Sequence, residues 1–537
     1  MKNLPIGIQS FKDLREKDYL YVDKTADILR LVSDGEVYFL SRPRRFGKSL
    51  LLSTLEELFK GNKALFEGLA IYDKWDWSKQ HPVIRIDWST LAHQTFEEMT
   101  ESILARLQQT ADENQIAFRT AIPATCLAEL IEGLHKKTGN QVVVLIDEYD
   151  KPILDVLTHP REEVQRVRNF LRSLYGILKG TGEHLRFVFL TGIAKFSGLS
   201  VFSELNNLND ITFHDEYSAI CGYTQTELET CFPEHIASAS TSLKIDQKRL
   251  LESLKFWYNG YSWNGEISVY NPFSILLFFN HKKFSNFWFS SGTPTFLLDI
   301  IKKCDAFSIV LQPMTASAIR VASFDPENIS PLPLLFQSGY LTIKKIRPDP
   351  LFLDEPEYLL DFPNDEVRKS FLSYLLSTFN QLPPGESRDL SLQMQRQLYH
   401  GEVAALEQGL RKMLASVPYP LHIGNEAYYH SLFLVWLRLL GFEIQGEIMT
   451  DIGRMDAVWQ FKGHVVVAEV KFSIEAGHLP ELLDAALSQI KEKRYADRYL
   501  SSAQRLSLLG VAFSGKEIAC RLEVLKDETA TASTTAA

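Results

Sequence analysis

The sequence predicts an α/β protein built on a parallel sheet, followed by a helical lid and a second, smaller α/β unit near the C-terminus. Three observations predict it. Apolar strand-like runs (EVYFL, PVIRIDWS, QVVVLIDEYD, LRFVFLTG) alternate with amphipathic helical stretches between residues 36 and 192, and that alternation is the pattern of a parallel sheet. VVVLI and LRFVFL are continuous apolar runs, as expected of strands buried on both faces. From about residue 420 a helix, a hairpin and another helix follow closely, enough for a separate compact unit.

The first element is the most telling. Residues 36 to 60 read as strand, loop and helix: EVYFL, then SRPRRFGKS, then LLLSTLEELFK closed by Gly61. Gly47-Lys48-Ser49 ends a phosphate-binding loop, in which backbone N–H groups and a helix N-terminus face the phosphates while Lys is a mobile cation and Ser meets Mg²⁺. The tripeptide alone means little, since roughly 0.3 are expected by chance in a chain this long. Its place between an apolar strand and a helix gives it weight. Arg45, Phe46, Gly47, Lys48 and Ser49 are therefore the candidate nucleotide-binding residues of the loop. The loop departs from the usual pattern, because Arg42 stands where a first glycine is expected. With Arg44 and Arg45 it places three guanidinium groups beside a polyphosphate, suited to phosphate charge or to a partner.

The strand PVIRIDWS (82–89) comes next, then helices at about 95–110 and 124–136. The strand QVVVLIDEYD (141–150) ends in acids at the edge where parallel sheets bind ligands. Asp147 is suited to hold Mg²⁺ through water, and Glu148 to polarise the attacking water. After a helix at about 161–179, Thr191 ends the strand LRFVFLTG and is placed to sense a terminal phosphate. From about 222 the pattern turns helical, opening on the capping box Thr224-Gln-Thr-Glu227. An aromatic stretch (256–297), short strands with Pro-rich turns (300–350) and a helical region (365–415) interrupted by a loop at QLPPGESRDLS (381–391) follow. The tail KDETATASTTAA is low-complexity and expected to be disordered.

The second candidate site lies between 425 and 473. Glu426 and His430 are four apart on a helix that Gly441 ends, so they share a face. A hairpin follows: GRMDAVWQ, the turn FKGH, then VVVAEVKF. Glu469 and Lys471, two apart on a strand, point the same way, and Asp456 opens the partner strand. An acid and a lysine inside an apolar strand are costly unless they meet a metal or each other. Asp456 and Glu469 are candidate Mg²⁺ ligands, with Lys471 stabilising the nucleophile or the developing charge of phosphodiester hydrolysis.

Bulk properties narrow the classes. The chain has 537 residues, too many for one core, with 45% hydrophobic and 23% charged residues. Five scattered cysteines without paired spacing fit a reducing compartment and no structural zinc. The N-terminus carries no apolar signal region and no apolar run reaches membrane-spanning length, so a cytoplasmic protein without a membrane partner is expected. A formal charge of −10 argues against a broadly basic surface, so any nucleic acid must be met by a local patch or a metal.

Two resemblances add to this reading. YVDKT (21–25), SRPRRFGKS, LIDEYDKP, LTGIAKFSGLSVFSELNNLNDIT, WYNGY and VYNPFS, six separated motifs in order, resemble a family of predicted bacterial AAA-type ATPases over roughly residues 5 to 300. That family's loop characteristically reads RPRRFGKS, so the resemblance implies that Arg42 is the family's own form. It also implies nucleotide-site roles for Lys48, Ser49, Asp147 and Glu148; Tyr21 and Lys24 are placed near the base only by their position before the first strand. The pattern D-x12-E-x-K with an upstream helical Glu426 resembles the PD-(D/E)xK nuclease superfamily, with Met455 replacing its proline before the first acid. Gln489 and Tyr495 resemble the Gln-to-Tyr motif of that superfamily's DNA-processing branch. The same helix carries Lys491, Lys493, Arg494 and Arg498, most simply a solvated face with one or two side chains reaching phosphate.

The implied architecture is α/β: a P-loop NTPase parallel sheet with a helical lid, then a restriction-endonuclease-like α/β domain. Its expected divisions are 1–220 (AAA-ATPase-like core), 221–300 (lid), 301–415 (connector), 416–525 (nuclease-like domain) and 526–537 (tail). The implied function is ATP binding and hydrolysis that controls a Mg²⁺-dependent nuclease, with ATP and Mg²⁺ as cofactors and DNA favoured over RNA. The competing reading is a nucleotide-dependent switch whose nuclease-like domain only binds nucleic acid or protein, which the acidic balance favours. A remodelling motor is weaker, because no arginine finger or oligomerisation surface is identifiable, although a homo-oligomer stays compatible with the sequence.

Overall fold

The computed structural model describes residues 1–92, 95–157, 159–196, 208–292, 314–322, 330–348, 356–380, 384–416, 426–442, 444–449, 454–461, 463–514 and 517–528. The chain divides into two compact units, Met1–Cys304 with Pro313–Arg368, and Asp305–Gln312 with Lys369–Ala537.

The first unit is organised by β1 (Val37–Ser41), β2 (Val83–Asp87), β3 (Val142–Asp147), β4 (Leu185–Gly192) and β5 (Asn209–Asp210). They form a parallel sheet in the order β2-β3-β4-β1-β5. β3 is buried along its whole length, as its unbroken apolar run requires, and each such aliphatic side chain contributes about 1.5–3 kcal/mol over an exposed one. Helix Arg161–Gly180 buries Val164, Val167, Leu171, Leu174 and Leu178, one face at helical spacing. Helix Pro123–Thr138 starts with proline in its first turn and stops at Gly139, whose φ of 71° provides the left-handed cap. Because β4 lies between β1 and β3, and Leu40 pairs with Thr191 while Ile146 pairs with Leu190, the carboxyl ends of three strands converge. That convergence positions the first site.

Beyond the sheet, helices Gln225–Cys231, Pro233–Leu243, Gln247–Tyr258 and Pro272–His281 enclose a core of Leu228, Phe232, Ile236, Leu254 and Phe278. The Thr224–Glu227 capping box forms as expected. A small antiparallel sheet of β6 (Met314–Ser317), β8 (Glu357–Asp361) and β7 (Thr342–Arg347), in that order, completes the unit.

The second unit holds a mixed sheet of β9 (Ile444–Met449), β10 (Arg454–Phe461), β11 (His464–Ser473), β12 (Arg505–Ser514) and β13 (Glu517–Asp527), ordered β13-β12-β11-β10-β9. The expected hairpin is β10 and β11. The sheet exceeds the expectation of a helix, a hairpin and a helix: β9 pairs with β10, and β12 runs parallel to β11 after a crossover through helix Leu479–Glu492. One expected loop is corrected. Helix Pro384–His400 covers most of 381–391, because Pro384 takes its first position, where proline's missing N–H costs nothing.

Candidate functional site

The phosphate-loop site is built where β1 meets helix Lys48–Phe59. Gly47 caps that helix at φ 93°, a left-handed conformation favouring glycine, and a side chain there would meet nothing within 4 Å. Arg45 (φ 68°) and Glu148 (φ 52°) also adopt left-handed backbone despite their side chains, a strain that clusters at functional sites. Arg44, Arg45, Gly47, Lys48, Ser49, Glu148 and Lys151 line one cavity of about 350 Å³, which receives the first turn of the helix. Lys48 is buried, and its Nζ donates to the carbonyls of Arg42 (2.9 Å) and Pro43 (3.1 Å), bracing the loop from within. A polyanion in the cavity competes with those carbonyls for the same ammonium.

Behind the cavity, Thr191 Oγ1 donates to Asp147 Oδ1 at 2.7 Å. Asp147 Oδ2 is buried without a hydrogen-bond partner among the described residues, and an orphaned carboxylate oxygen suits a metal ion or its water. Asp150, which sequence reasoning passed over, is also buried. Its Oδ2 accepts from the backbone of Ile193 (2.8 Å) and Ala194 (2.7 Å), and burial pushes its carboxyl up to about 7. Asp147 and Thr191 are not among the cavity-lining residues.

Two loop residues turn away from the cavity. Phe46 is buried edge-on against Tyr261 (4.7 Å) and Trp263 (5.7 Å) and borders a separate apolar cavity of about 70 Å³ with Tyr21 and Lys24. Lys24 itself is engaged by Glu227 at 2.5 Å and the Ala219 carbonyl. Arg42 is fully buried: its guanidinium donates to the carbonyls of Ser41 (2.8 Å), Thr212 (2.9 Å) and Tyr217 (3.0 Å) and lies 3.9 Å over the Trp263 ring. Arg42 is therefore a strut inside the protein, not a charge presented to phosphate. Arg44 and Arg45 keep the cavity position, with Arg45 stacked 4.9 Å over Phe273.

The second site forms across the β10–β11 hairpin. Ala457 pairs with Ala468, which sets Asp456 level with Glu469, and Asp456 Oδ2 accepts from the Val470 N–H at 2.8 Å. Lys471 Nζ donates to Glu469 Oε1 at 3.3 Å, and Gln489 Nε2 donates to the same oxygen. Gln489 in turn shares a hydrogen bond with Tyr495. Glu469 is 2% exposed, and its Oε2 has no partner among the described residues. Burial first, then the charge of Asp456, pushes the Glu469 carboxyl up to about 7. The strand alternation thus brings Asp456, Glu469 and Lys471 together, and helix Leu479–Glu492 adds Gln489. Two adjoining carboxylates, of which Glu469 has the raised pKa and the orphaned oxygen, fit a divalent cation, which relieves their mutual repulsion and displaces the proton.

Helix Glu426–Leu439 begins at Glu426, whose side chain lies outside the described residues. One turn on, His430 is 5% exposed and its Nε2 lies 3.1 Å from the Asp456 carbonyl; the i, i+4 spacing to Glu426 was the signal for it. Among the described residues no group of three or more His, Cys, Asp or Glu side chains forms a metal cage. Of the basic side chains near the site, Lys491 pairs with Glu523 at 2.6 Å and Arg494 with Asp497 at 2.5 Å, while Arg498 stacks on Tyr499. No helix among the described residues is long and apolar enough to cross a membrane.

Comparison with known proteins gives a match over each of the two sites. Residues 5–202 match the family described as predicted AAA-ATPase, and residues 424–522 match the PD-(D/E)XK nuclease superfamily. An uncharacterized protein in the vnfD 5' region of Azotobacter chroococcum mcd 1 is 40% identical over 521 residues, covering 96% of each chain. No solved structure matches the chain. The chain belongs to the family it shares with that Azotobacter chroococcum protein, and it joins a predicted AAA-ATPase domain to a C-terminal domain of the PD-(D/E)XK nuclease superfamily.

Proposed function

We propose that the protein binds and hydrolyses Mg²⁺–ATP and that its nucleotide state controls a Mg²⁺-dependent nuclease acting on DNA. The observation that carries the nuclease reading is the buried Glu469 oxygen left unpartnered beside Asp456, with Lys471 and Gln489 on its other oxygen. Asp456 and Glu469 would hold the metal, whose chemistry is to activate water and offset phosphate charge. Lys471 then steadies the nucleophile or the developing charge, Gln489 orients Glu469, and Glu426 stands one helical turn before His430 as a further acid. At the first site, Lys48 and the start of its helix receive the phosphates. Ser49 and Asp147 would hold the nucleotide's metal, and Glu148, on the cavity wall, polarises water. Thr191 reads the terminal phosphate through its contact with Asp147.

Purified protein with Mg²⁺ or Mn²⁺ is expected to cleave DNA, and Asp456→Ala or Lys471→Ala to lower the rate about 100-fold or more. Lys48→Ala is expected to abolish ATP binding in a titration. Equal inertness of wild type and both nuclease variants on DNA and RNA defeats the nuclease claim and leaves the switch reading, in which the same domain binds without cutting. Unchanged ATP affinity in Lys48→Ala defeats the nucleotide claim.

A further inference from the structure

We propose that Asp150 is a positioning residue of the nucleotide site: its carboxylate clamps the turn after β4, holds the Thr191 hydroxyl on Asp147, and so leaves one Asp147 oxygen for Mg²⁺–ATP. The proposal rests on the reading of this site as an ATPase.

The position of Asp150 in the chain makes its bonding unusual. It is the N-cap of helix Lys151–Val156, where an aspartate ordinarily accepts a hydrogen bond from its own helix. Here it makes no such cap bond. Instead Oδ2 receives the N–H groups of Ile193 and Ala194, at 2.8 and 2.7 Å, from a segment 43 and 44 residues away. Those two residues directly follow Thr191 and Gly192, so the carboxylate grips the end of β4 one step past the candidate sensor. The neighbouring bonds repeat the tie. Tyr149 N–H donates to the Thr191 carbonyl at 2.9 Å, and Tyr149 hydroxyl donates to the Ala194 carbonyl at 2.8 Å. Tyr175 hydroxyl donates to the Tyr149 carbonyl and receives the Trp88 indole N–H at 2.7 Å, anchoring the clamp in the core.

Gly192 completes the device. A Cβ there would stand 2.7 Å from Asp150 Oδ1 and 2.7 Å from the Tyr149 ring, so only glycine lets the turn close onto the carboxylate. With the turn fixed, Thr191 Oγ1 reaches Asp147 Oδ1 at 2.7 Å, and Asp147 Oδ2, like Asp150 Oδ1, has no hydrogen-bond partner among the described residues. If the turn slips, Thr191 loses that contact and Asp147 is free to rotate. The start of the phosphate loop leans on the backbone of the same turn, since Arg42 N–H donates to the Gly192 carbonyl at 3.1 Å and the Ser41 hydroxyl to the Ile193 carbonyl, but Lys48 and its helix N-terminus are set by other bonds. Loss of the Asp150 side chain therefore falls on hydrolysis more than on binding, because hydrolysis needs the metal and the sensor in register.

The test is steady-state ATP hydrolysis by the full chain with wild type, Asp150→Ala, Asp150→Asn, Thr191→Val and the double variant Asp150→Ala/Thr191→Val. Asp150→Ala removes the oxygen that accepts from Ile193 and Ala194 and is expected to lower kcat about tenfold or more, with KM for ATP within about threefold. Asp150→Asn keeps one oxygen for both N–H groups and is expected to recover most of that loss. The double variant is expected to be no slower than Thr191→Val, because both changes remove the same contact. Gly192→Ala is a second route to the same state, and should lower kcat while leaving KM in the same range. Losses that multiply in the double variant, a raised KM with unchanged kcat, an Asp150→Asn variant as slow as Asp150→Ala, or wild-type hydrolysis by Asp150→Ala or Gly192→Ala each overturn the proposal. A wild-type protein that hydrolyses no ATP defeats the ATPase reading itself, and the role of Asp150 falls with it.

Discussion

Arg42 shows how far a single position can depart from what its place in a motif suggests. It occupies the slot of a glycine, and the natural expectation is that glycine would restore a weakened loop. The structure argues the reverse. Two guanidinium nitrogens donate to three buried carbonyls and the group covers Trp263, while Nε has no partner among the described residues; burial lowers the pKa to about 10, still charged at neutral pH. Arg42→Gly would leave those carbonyls unpaired and open a void beside the ring. A loss of about 3 kcal/mol or more is expected in chemical denaturation, since removing one partner of a buried charged network costs more than the network contributed. Arg42→Lys should recover only part of it, because an ammonium cannot replace the planar fork. Stability equal to wild type in the glycine variant would disprove this role. The sequence could not reveal it: Thr212 and Tyr217 lie 170 and 175 residues away, and only folding brings them to the loop. Glu469 and Lys471 were legible for the opposite reason, since their proximity follows from strand alternation alone.

Among elements, those with strong local signals were readable and those defined by their neighbours were not. β3, the capped helix at Gln225 and the β10–β11 hairpin each carry their own period, cap or turn. β12 is an apolar run that becomes a strand by lying between β11 and β13, a partnership no short window displays. The same dependence appears at the first turn of helix Asp365–Asn380, where Glu366 is fully buried. Its Oε1 accepts from Trp288 N–H at 2.6 Å and its Oε2 from Ser274 hydroxyl at 2.8 Å. Burial raises this carboxyl from 4.5 to about 8. The folded chain therefore keeps a proton that the unfolded chain releases between those pH values. Stability from this group is complete below about 4.5 and is lost as pH rises toward 8. Glu366→Gln keeps an acceptor for Trp288 and has no proton to lose. Between pH 6 and pH 9 its melting temperature should fall by several degrees less than that of wild type. Parallel melting curves would show that Glu366 is not the titrating group.

For the whole molecule, the question is whether the phosphate loop and the nuclease-like domain communicate. The boundary between the two compact units falls between Arg368 and Lys369, inside helix Asp365–Asn380. The first turn of that helix is tied to the phosphate loop through Trp288. Trp288 indole N–H donates to the Arg44 carbonyl in the phosphate loop at 3.1 Å, and its backbone N–H donates to Glu366. Gly339 packs so closely that a Cβ would meet Pro43 at 2.7 Å, which leaves the loop little room to move independently of this region. Under the proposed function, Trp288 is the residue through which a rearrangement of the loop would reach the start of this helix. Coupling between distant sites is established only by measuring it. The measurement is the ratio of DNA cleavage rates with and without a non-hydrolysable ATP analogue. Wild type should give a ratio away from one, in the range of 5- to 150-fold that about 1–3 kcal/mol of coupling produces. Trp288→Phe keeps an aromatic side chain and the backbone N–H to Glu366 but removes the indole donor, so the analogue should still bind while the ratio moves toward one. A wild-type ratio of one means that the two activities are independent, and an unchanged ratio in Trp288→Phe places the connection elsewhere.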